Sequence, residues 1–162
     1  MKTIELSNGD KAFVDDEDLE RLSKHHWWAQ SRRKGKSVAR AKIGDKCILM
    51  HRFIMNAQEG QIIDHIDGNP LNNQKANLRF CTTSQNLMNR GINNTNTTGY
   101  KGVSWAKGLK KYMACIRVKG KNKHLGYFSD AIEAAKVYDK AILEHHGEFA
   151  WLNFSKEEPH DS

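Results

Sequence analysis

Asp64 and His65 stand side by side, Asn77 follows twelve residues after the histidine, and Asn86 nine residues after that. A carboxylate, an imidazole and two carboxamides, if they met, could take a proton from a water and hold a cation. That combination is what hydrolysis of a phosphate ester requires, because the attacking water must be deprotonated and the developing negative charge must be neutralised. The Asp64-His65 pair carries little weight by itself, since such dipeptides arise by chance and buried histidines are mostly structural. Its weight depends on whether the surrounding elements bring the other side chains to it.

Ile62 to Ile66 reads as a short strand ending in Asp64 and His65, and Leu78 to Cys81 as the returning strand that Asn77 opens. An asparagine-rich loop with Pro70 joins them, and Ser84 to Asn89 begins a helix that carries Asn86. Such a ββα unit aims side chains from three elements at one spot. Within the loop, Asp67 with Gly68 is assigned to turn formation, and Asn72 and Asn73 to loop hydrogen bonds. His51 and Arg52 start an apolar segment, HRFIM, expected to pack beside the unit; Arg52 could reach a phosphate, and His51 has no assigned role.

Ahead of this unit lie an acidic segment, DDEDLERLSKH, with Leu19 and Leu22 at helical spacing, and a basic stretch holding Arg32, Arg33, Arg40 and Arg52. Acids at a helix start complement its dipole, so α-helix is expected there. SVARAKI and KCILM resemble strands joined across Gly44-Asp45, a hairpin whose positive face could lie along a phosphate backbone. Cys47, Cys81 and Cys115 form no CxxC pair and read as reduced strand residues.

The chain has 162 residues, only 38% of them hydrophobic, with a formal charge of +7, which favours small charged modules and a polyanionic partner. No stretch suits a secretory leader or a membrane span, so a soluble, intracellular protein is expected.

The run HRFIMNAQEGQIIDHIDGNPLNNQKANLRFCTTSQN resembles the core of HNH homing endonucleases of phages and group I introns. The resemblance implies that His65 is the general base, that Asp64 and Asn86 hold one divalent metal ion, and that Asn77 holds the histidine ring. The oxygen donors imply magnesium or manganese rather than zinc. The implied substrate is double-stranded DNA, in the cytoplasm of a bacterial host, with the gene possibly carried by a phage.

After the polar stretch GINNTNTTG, expected to be a flexible linker, three strands (Lys101 to Ala106, Lys111 to Val118, Asn122 to Phe128) and a helix capped by Ser129 are expected. Tyr100 to Phe128 contains eight Lys or Arg residues and no acid. The segment YKGVSWAKGLKKYMACIRVKGKNKHLGYFSDAIEAAKVYDKAILEHHGEFAWLNF resembles the plant ethylene-response-factor type of DNA-binding domain, by its YxGV opening, LGYF strand, EAAxxYD helix and LNF ending. That likeness implies DNA contacts at Lys101, Ser104, Ala106, Cys115, Arg117, Asn122 and His124. Trp105 and Tyr112 are read as packing groups.

The whole reads as an α+β modular protein. Residues 1–56 are expected to form a β-rich DNA-contacting region, 57–90 the ββα-metal HNH motif, 91–98 a linker and 99–154 a three-stranded antiparallel sheet packed on one helix. The expected function is a metal-dependent endonuclease, monomer or homodimer, that needs no small-molecule cofactor and engages no membrane. A DNA-binding regulator without turnover is the alternative.

Overall fold

The structure, a computed structural model, describes residues 2–31, 36–93, 95–118 and 120–154. It divides into two units, residues 1–86 and 87–162. Both mix helices with small antiparallel sheets, so the chain is α+β.

In the first unit the strands β1 (Lys2–Glu5) and β2 (Lys11–Val14) form a hairpin that leads into helix α1 (Asp16–Ser23). The acidic run opens α1 as expected, and its members do more than complement the dipole. Asp18 is buried and paired with Arg21 at 2.7 Å, while the Asp15 carboxylate accepts from the Lys75 backbone N–H at 2.7 Å. Next comes an antiparallel sheet of β3 (Trp27–Ser31), β4 (Ser37–Ile43) and β5 (Lys46–Leu49), the last two joined across Gly44-Asp45 as the sequence predicts. Helix α2 (Met50–Ile54) follows directly.

The ββα unit consists of β6 (Ile62–His65), β7 (Leu78–Cys81) and α3 (Thr83–Met88), with β6 and β7 antiparallel and His65 opposite Leu78. A 3-10 turn at Lys75–Asn77 leads into β7. Ile63 and Leu78, from the two strands, enter the same core as Leu22, Trp27, Met50 and Ile54. The regions read from sequence as a separate N-terminal module and an HNH module therefore share one interior. The link is also polar: Phe13 N–H donates to Leu71 O, and Asn73 N–H donates to Phe13 O, both at 2.8 Å. Lys75 adds a salt bridge to Glu17.

The second unit holds β8 (Val103–Ala106), β9 (Lys111–Val118) and β10 (Lys121–Phe128) in the order β10-β9-β8, all antiparallel, with helix α4 (Ala131–His146) packed on one face. Ala134, Ala135, Tyr138 and Ile142 of α4 bury against Val103, Ala114 and Ile116 of the sheet. The helix is capped by Asp130, whose carboxylate accepts from Glu133 N–H at 3.0 Å; Ser129, the expected cap, lies one residue too early. Gly102 passes under the Tyr138 ring at φ +76°, and a Cβ there would lie 2.0 Å from ring carbons.

The stretch expected to be a flexible linker ends in a built turn. The Asn96 carboxamide donates to Tyr100 O at 2.7 Å and accepts from Thr98 and Gly99 N–H at 2.9 and 2.8 Å. At the far end Asn153 bonds Asp139 and both backbone groups of Lys101, fastening the LNF ending to the first strand's entry. Among the described residues no helix is long and apolar enough to cross a membrane.

Candidate active site

Strand β6 delivers Asp64 and His65 to neighbouring positions at its end. Asp64 is only 7% exposed, and its Oδ2 accepts from Arg79 on β7, with Nη2 at 2.9 Å and Nε at 3.1 Å. A carboxylate so deeply placed needs a cation, and Arg79, directly opposite in the register, supplies one.

Around His65 the geometry differs from expectation. Asn77 does not hold the ring: its Nδ2 donates to Asp67 Oδ1 at 2.9 Å and to Asn72 O at 2.8 Å, and its Oδ1 accepts from Asp67 N–H at 3.0 Å. Asn77 therefore braces the loop, because its place at the end of the 3-10 turn aims it at the Asp67 turn instead of the imidazole. The residue that reaches the ring is Asn73, assigned from sequence to loop hydrogen bonding. Its Oδ1 lies 3.3 Å from His65 Nε2, its Nδ2 faces Pro70 O at 3.4 Å, and it is fully buried. The available signal for Asn73 was its spacing from His65, but adjacent asparagines at 72 and 73 gave no means of telling which points inward.

His51, left without a role, also belongs here. Its ring meets that of His65 edge-on, with centroids 4.9 Å apart. The His65 pKa is lowered from the ordinary histidine value, chiefly by burial. The Asn73 bond and the Asp67 and Asp64 carboxylates pull it back up, while Lys36 adds to the lowering. The ring is thus neutral near physiological pH, the state in which it can accept a proton.

Asn86 lies half-buried on α3, its backbone N–H bonded to Thr82 O at 3.0 Å. Its carboxamide makes no hydrogen bond to another described residue, which leaves its oxygen available as a donor atom. Among the described residues there is no group of three or more His, Cys, Asp or Glu side chains that could hold a metal ion. Asp64 and Asn86 nonetheless offer hard oxygen atoms, with the Asp64 carboxylate also engaged by Arg79. The donor chemistry fits a small divalent ion and does not suit a thiolate-preferring one.

The residues expected to touch DNA have varied surroundings. Arg32 and Arg33 lie outside the described residues. Arg40 Nη1 donates to Gln30 Oε1 at 2.7 Å, and with Lys46, Cys47 and Phe53 it lines a groove of about 630 Å³. Arg52 is spent internally: its guanidinium caps the carbonyls of Gln61, Ala57 and Gln58, the last at 2.8 Å, so it clamps the loop before β6 instead of reaching outward. Lys101 is also turned inward. Its Nζ donates to Met88 O at 2.8 Å and sits 5.5 Å from the Trp151 ring centre, and burial lowers its pKa to about 8. Desolvation makes that ammonium a packing group instead of a phosphate contact.

Ser104, Arg117, Asn122 and His124, by contrast, are all exposed on the sheet face opposite α4. Trp105 and Tyr112 contact each other with ring centroids 4.8 Å apart, and Trp105 remains 43% exposed. The three cysteines are free thiols on β5, β7 and β9.

Residues 50–88 match the family described as HNH endonuclease, a span that begins at α2 and ends with α3. The chain is similar to an uncharacterized HNH endonuclease of Acanthamoeba polyphaga mimivirus, 31% identical over 151 residues, covering 90% of this chain and 75% of that one. It is also similar to Protein 3.8 of Escherichia phage T7, 37% identical over 92 residues, 57% of this chain and 75% of the phage protein. No solved structure matches it. The match across the ββα unit and the similarity along three quarters of the viral relative together show that the chain belongs to the HNH endonuclease family.

Proposed function

We propose that the protein is a divalent-metal-dependent endonuclease that hydrolyses phosphodiester bonds of double-stranded DNA, of the phage or homing kind. The observation that carries this reading is the buried Asn73 carboxamide on His65 Nε2. An amide oxygen only accepts, so Nε2 carries the ring proton and Nδ1 is left as the basic atom. His65 then draws the proton from the attacking water through Nδ1, and Asn73 keeps the ring in the tautomer that allows it. Asn77 acts at one remove, by fixing the Asp67 turn next to His65.

Asp64 and Asn86 are the residues that would hold magnesium or manganese. When bound, that ion supplies Lewis-acid charge to the phosphate oxygens. Arg79 holds the Asp64 carboxylate in place. In the second unit, the acid-free sheet face with Arg117, Asn122 and His124 is read as the duplex-binding surface, in line with its motif resemblance to ethylene-response-factor domains. Arg40 of the first unit is the remaining candidate for a phosphate contact. A monomer with a single site would nick; a homodimer could cut both strands.

Purified protein incubated with supercoiled plasmid and Mg2+ or Mn2+ tests the reading. Cleavage is expected, with loss in EDTA and a fall of about 10²- to 10⁴-fold for His65→Ala, the range for removing a general base. One observation favours a second reading, a DNA-binding regulator without turnover: the Asp64 carboxylate is already engaged by Arg79. Persistent plasmid binding with no cleavage under either ion would decide for it.

A further inference from the structure

The exposed face of the second unit's sheet is built of cross-strand rows that differ in chemistry. Arg117 stands opposite Asn122 and Cys115 opposite His124, while Met113 lies between Ser104 on β8 and Tyr127 on β10. One end thus presents a guanidinium and a carboxamide, side chains that pair with the edges of guanine and adenine in the major groove. Four residues along β9, the row centres on a thioether and a phenol ring, which have little to offer a base edge except apolar contact.

Tyr127 occupies this row because of a break in β10. Strict alternation from His124 would place Gly126 and Phe128 outward and send Tyr127 into the core. A register shift between His124 and Gly126 reverses that: Leu125 and Phe128 pack inward, and Tyr127 emerges 44% exposed, its ring 4.5 Å from that of His124. Bulges commonly re-aim a side chain at a functional surface. Here the bulge puts an aromatic ring in solvent on a face that has no acid and is flanked by lysines at 107, 110, 111, 121 and 123. Charge complementarity selects a polyanion. Double-stranded RNA is a poor fit, because its major groove is too deep and narrow for side chains to read.

Resting on the reading that this face binds duplex DNA, we infer that it recognises a composite site, with guanine at the Arg117 end and thymine 5-methyl groups beneath Met113 and Tyr127. Four residues of strand span about 13 Å, which at about 3.4 Å per base pair sets the two features about four base pairs apart when β9 lies along the groove. Arg117 donates to the two acceptors of guanine, while the methyl group of thymine is the one apolar feature the major groove offers.

The test uses full-length His65→Ala protein, to silence cleavage, and a random duplex library from which bound sequences are selected. A guanine and a thymine separated by three to five base pairs are expected in the selected sites. Replacing that thymine by deoxyuridine removes only the methyl group and should weaken binding about fourfold, the worth of one buried methyl-sized group. Met113→Ala and Tyr127→Ala should bind the thymine and deoxyuridine duplexes equally, and Arg117→Ala should lose the guanine preference. If deoxyuridine binds as well as thymine at every selected position while Arg117→Ala still weakens binding, methyl recognition is refuted and the DNA-binding face stands. If Arg117→Ala, Met113→Ala and Tyr127→Ala all leave binding unchanged, the face itself has been misassigned. Equal affinity for an RNA duplex of the same sequence would overturn both.

Discussion

Replacing Asn73 by alanine removes a side chain that bonds His65 Nε2, and the structure allows the effect to be worked out in two independent measures. Because Asn73 is fully buried, its removal takes the acceptor from the imidazole N–H on the inward side of the ring. Leaving such a donor unsatisfied costs about 1–3 kcal/mol of stability. The second measure is the pH profile. Burial lowers the His65 pKa and the Asn73 bond partly restores it, so Asn73→Ala should lower it further. A base works when unprotonated, so the rising limb of kcat/KM moves to lower pH. Asn73→Asp keeps an oxygen acceptor but adds negative charge beside the ring, which raises the pKa and moves the limb to higher pH. A ring freed to reorient should also cost about 10²-fold in rate for the alanine variant, and the aspartate variant should recover part of it. Plasmid cleavage between pH 5 and 8, with thermal denaturation alongside, measures all of this. If both variants keep the wild-type limb, or both shift the same way, Asn73 does not act on the imidazole. A linkage check follows from the same shift. A histidine pKa below its unfolded value contributes stability that is present above about pH 6.5 and is lost as pH falls through the folded value, and His65→Ala should lack that component.

Three further outcomes are expected. Gly102→Ala forces a Cβ into the Tyr138 ring at positive φ, and about 2–5 kcal/mol of destabilisation should show as a lowered denaturation midpoint. Lys101 has its pKa lowered from 10.5 to about 8, so between those values the unfolded chain holds more protons than the folded one. Stability should therefore rise with pH across that window in the wild type, and the rise should be absent in Lys101→Met. Arg79→Met leaves the buried Asp64 carboxylate without its guanidinium, which should cost about 3–5 kcal/mol; Mn2+ should raise the melting temperature of this variant more than that of the wild type, and equal shifts would argue against Asp64 as a cation ligand.

The elements of the fold were largely legible because they depend on local pattern. The Gly44-Asp45 hairpin, the two strands flanking the asparagine-rich loop, and the apolar stripe on α4 each follow from residues within a few positions of one another. The placement of Asp64 and His65 was legible for the same reason, the two being adjacent on one strand. The role of Asn73 was not. Whether Asn72 or Asn73 turns inward is decided by the backbone of Phe13, some sixty residues earlier, which accepts from Asn73 N–H. Arg52 and Lys101 misled for a related reason. Their charge predicts a surface position, but each has backbone carbonyls at hand that hold it inward. Tyr127 escaped notice because period-two alternation carries no warning of a bulge.

The tie between Phe13 and Asn73 also bears on why the ββα unit does not stand apart from what precedes it. A hairpin with a following short helix buries too little apolar surface to hold a loop rigidly, since an isolated two-stranded hairpin is at best marginally stable. A general base, however, must be kept within a fraction of an ångström of its working position. In this chain the missing rigidity comes from β2 on one side of the loop and α1 on the other: Phe13 fixes the backbone at residues 71 and 73, and Asp15 fixes it at 75. Ile63 and Leu78 then anchor the two strands in the core that Leu22, Trp27 and Met50 build. In the proposed mechanism β2, the start of α1 and the core around Met50 are therefore positioning elements for His65.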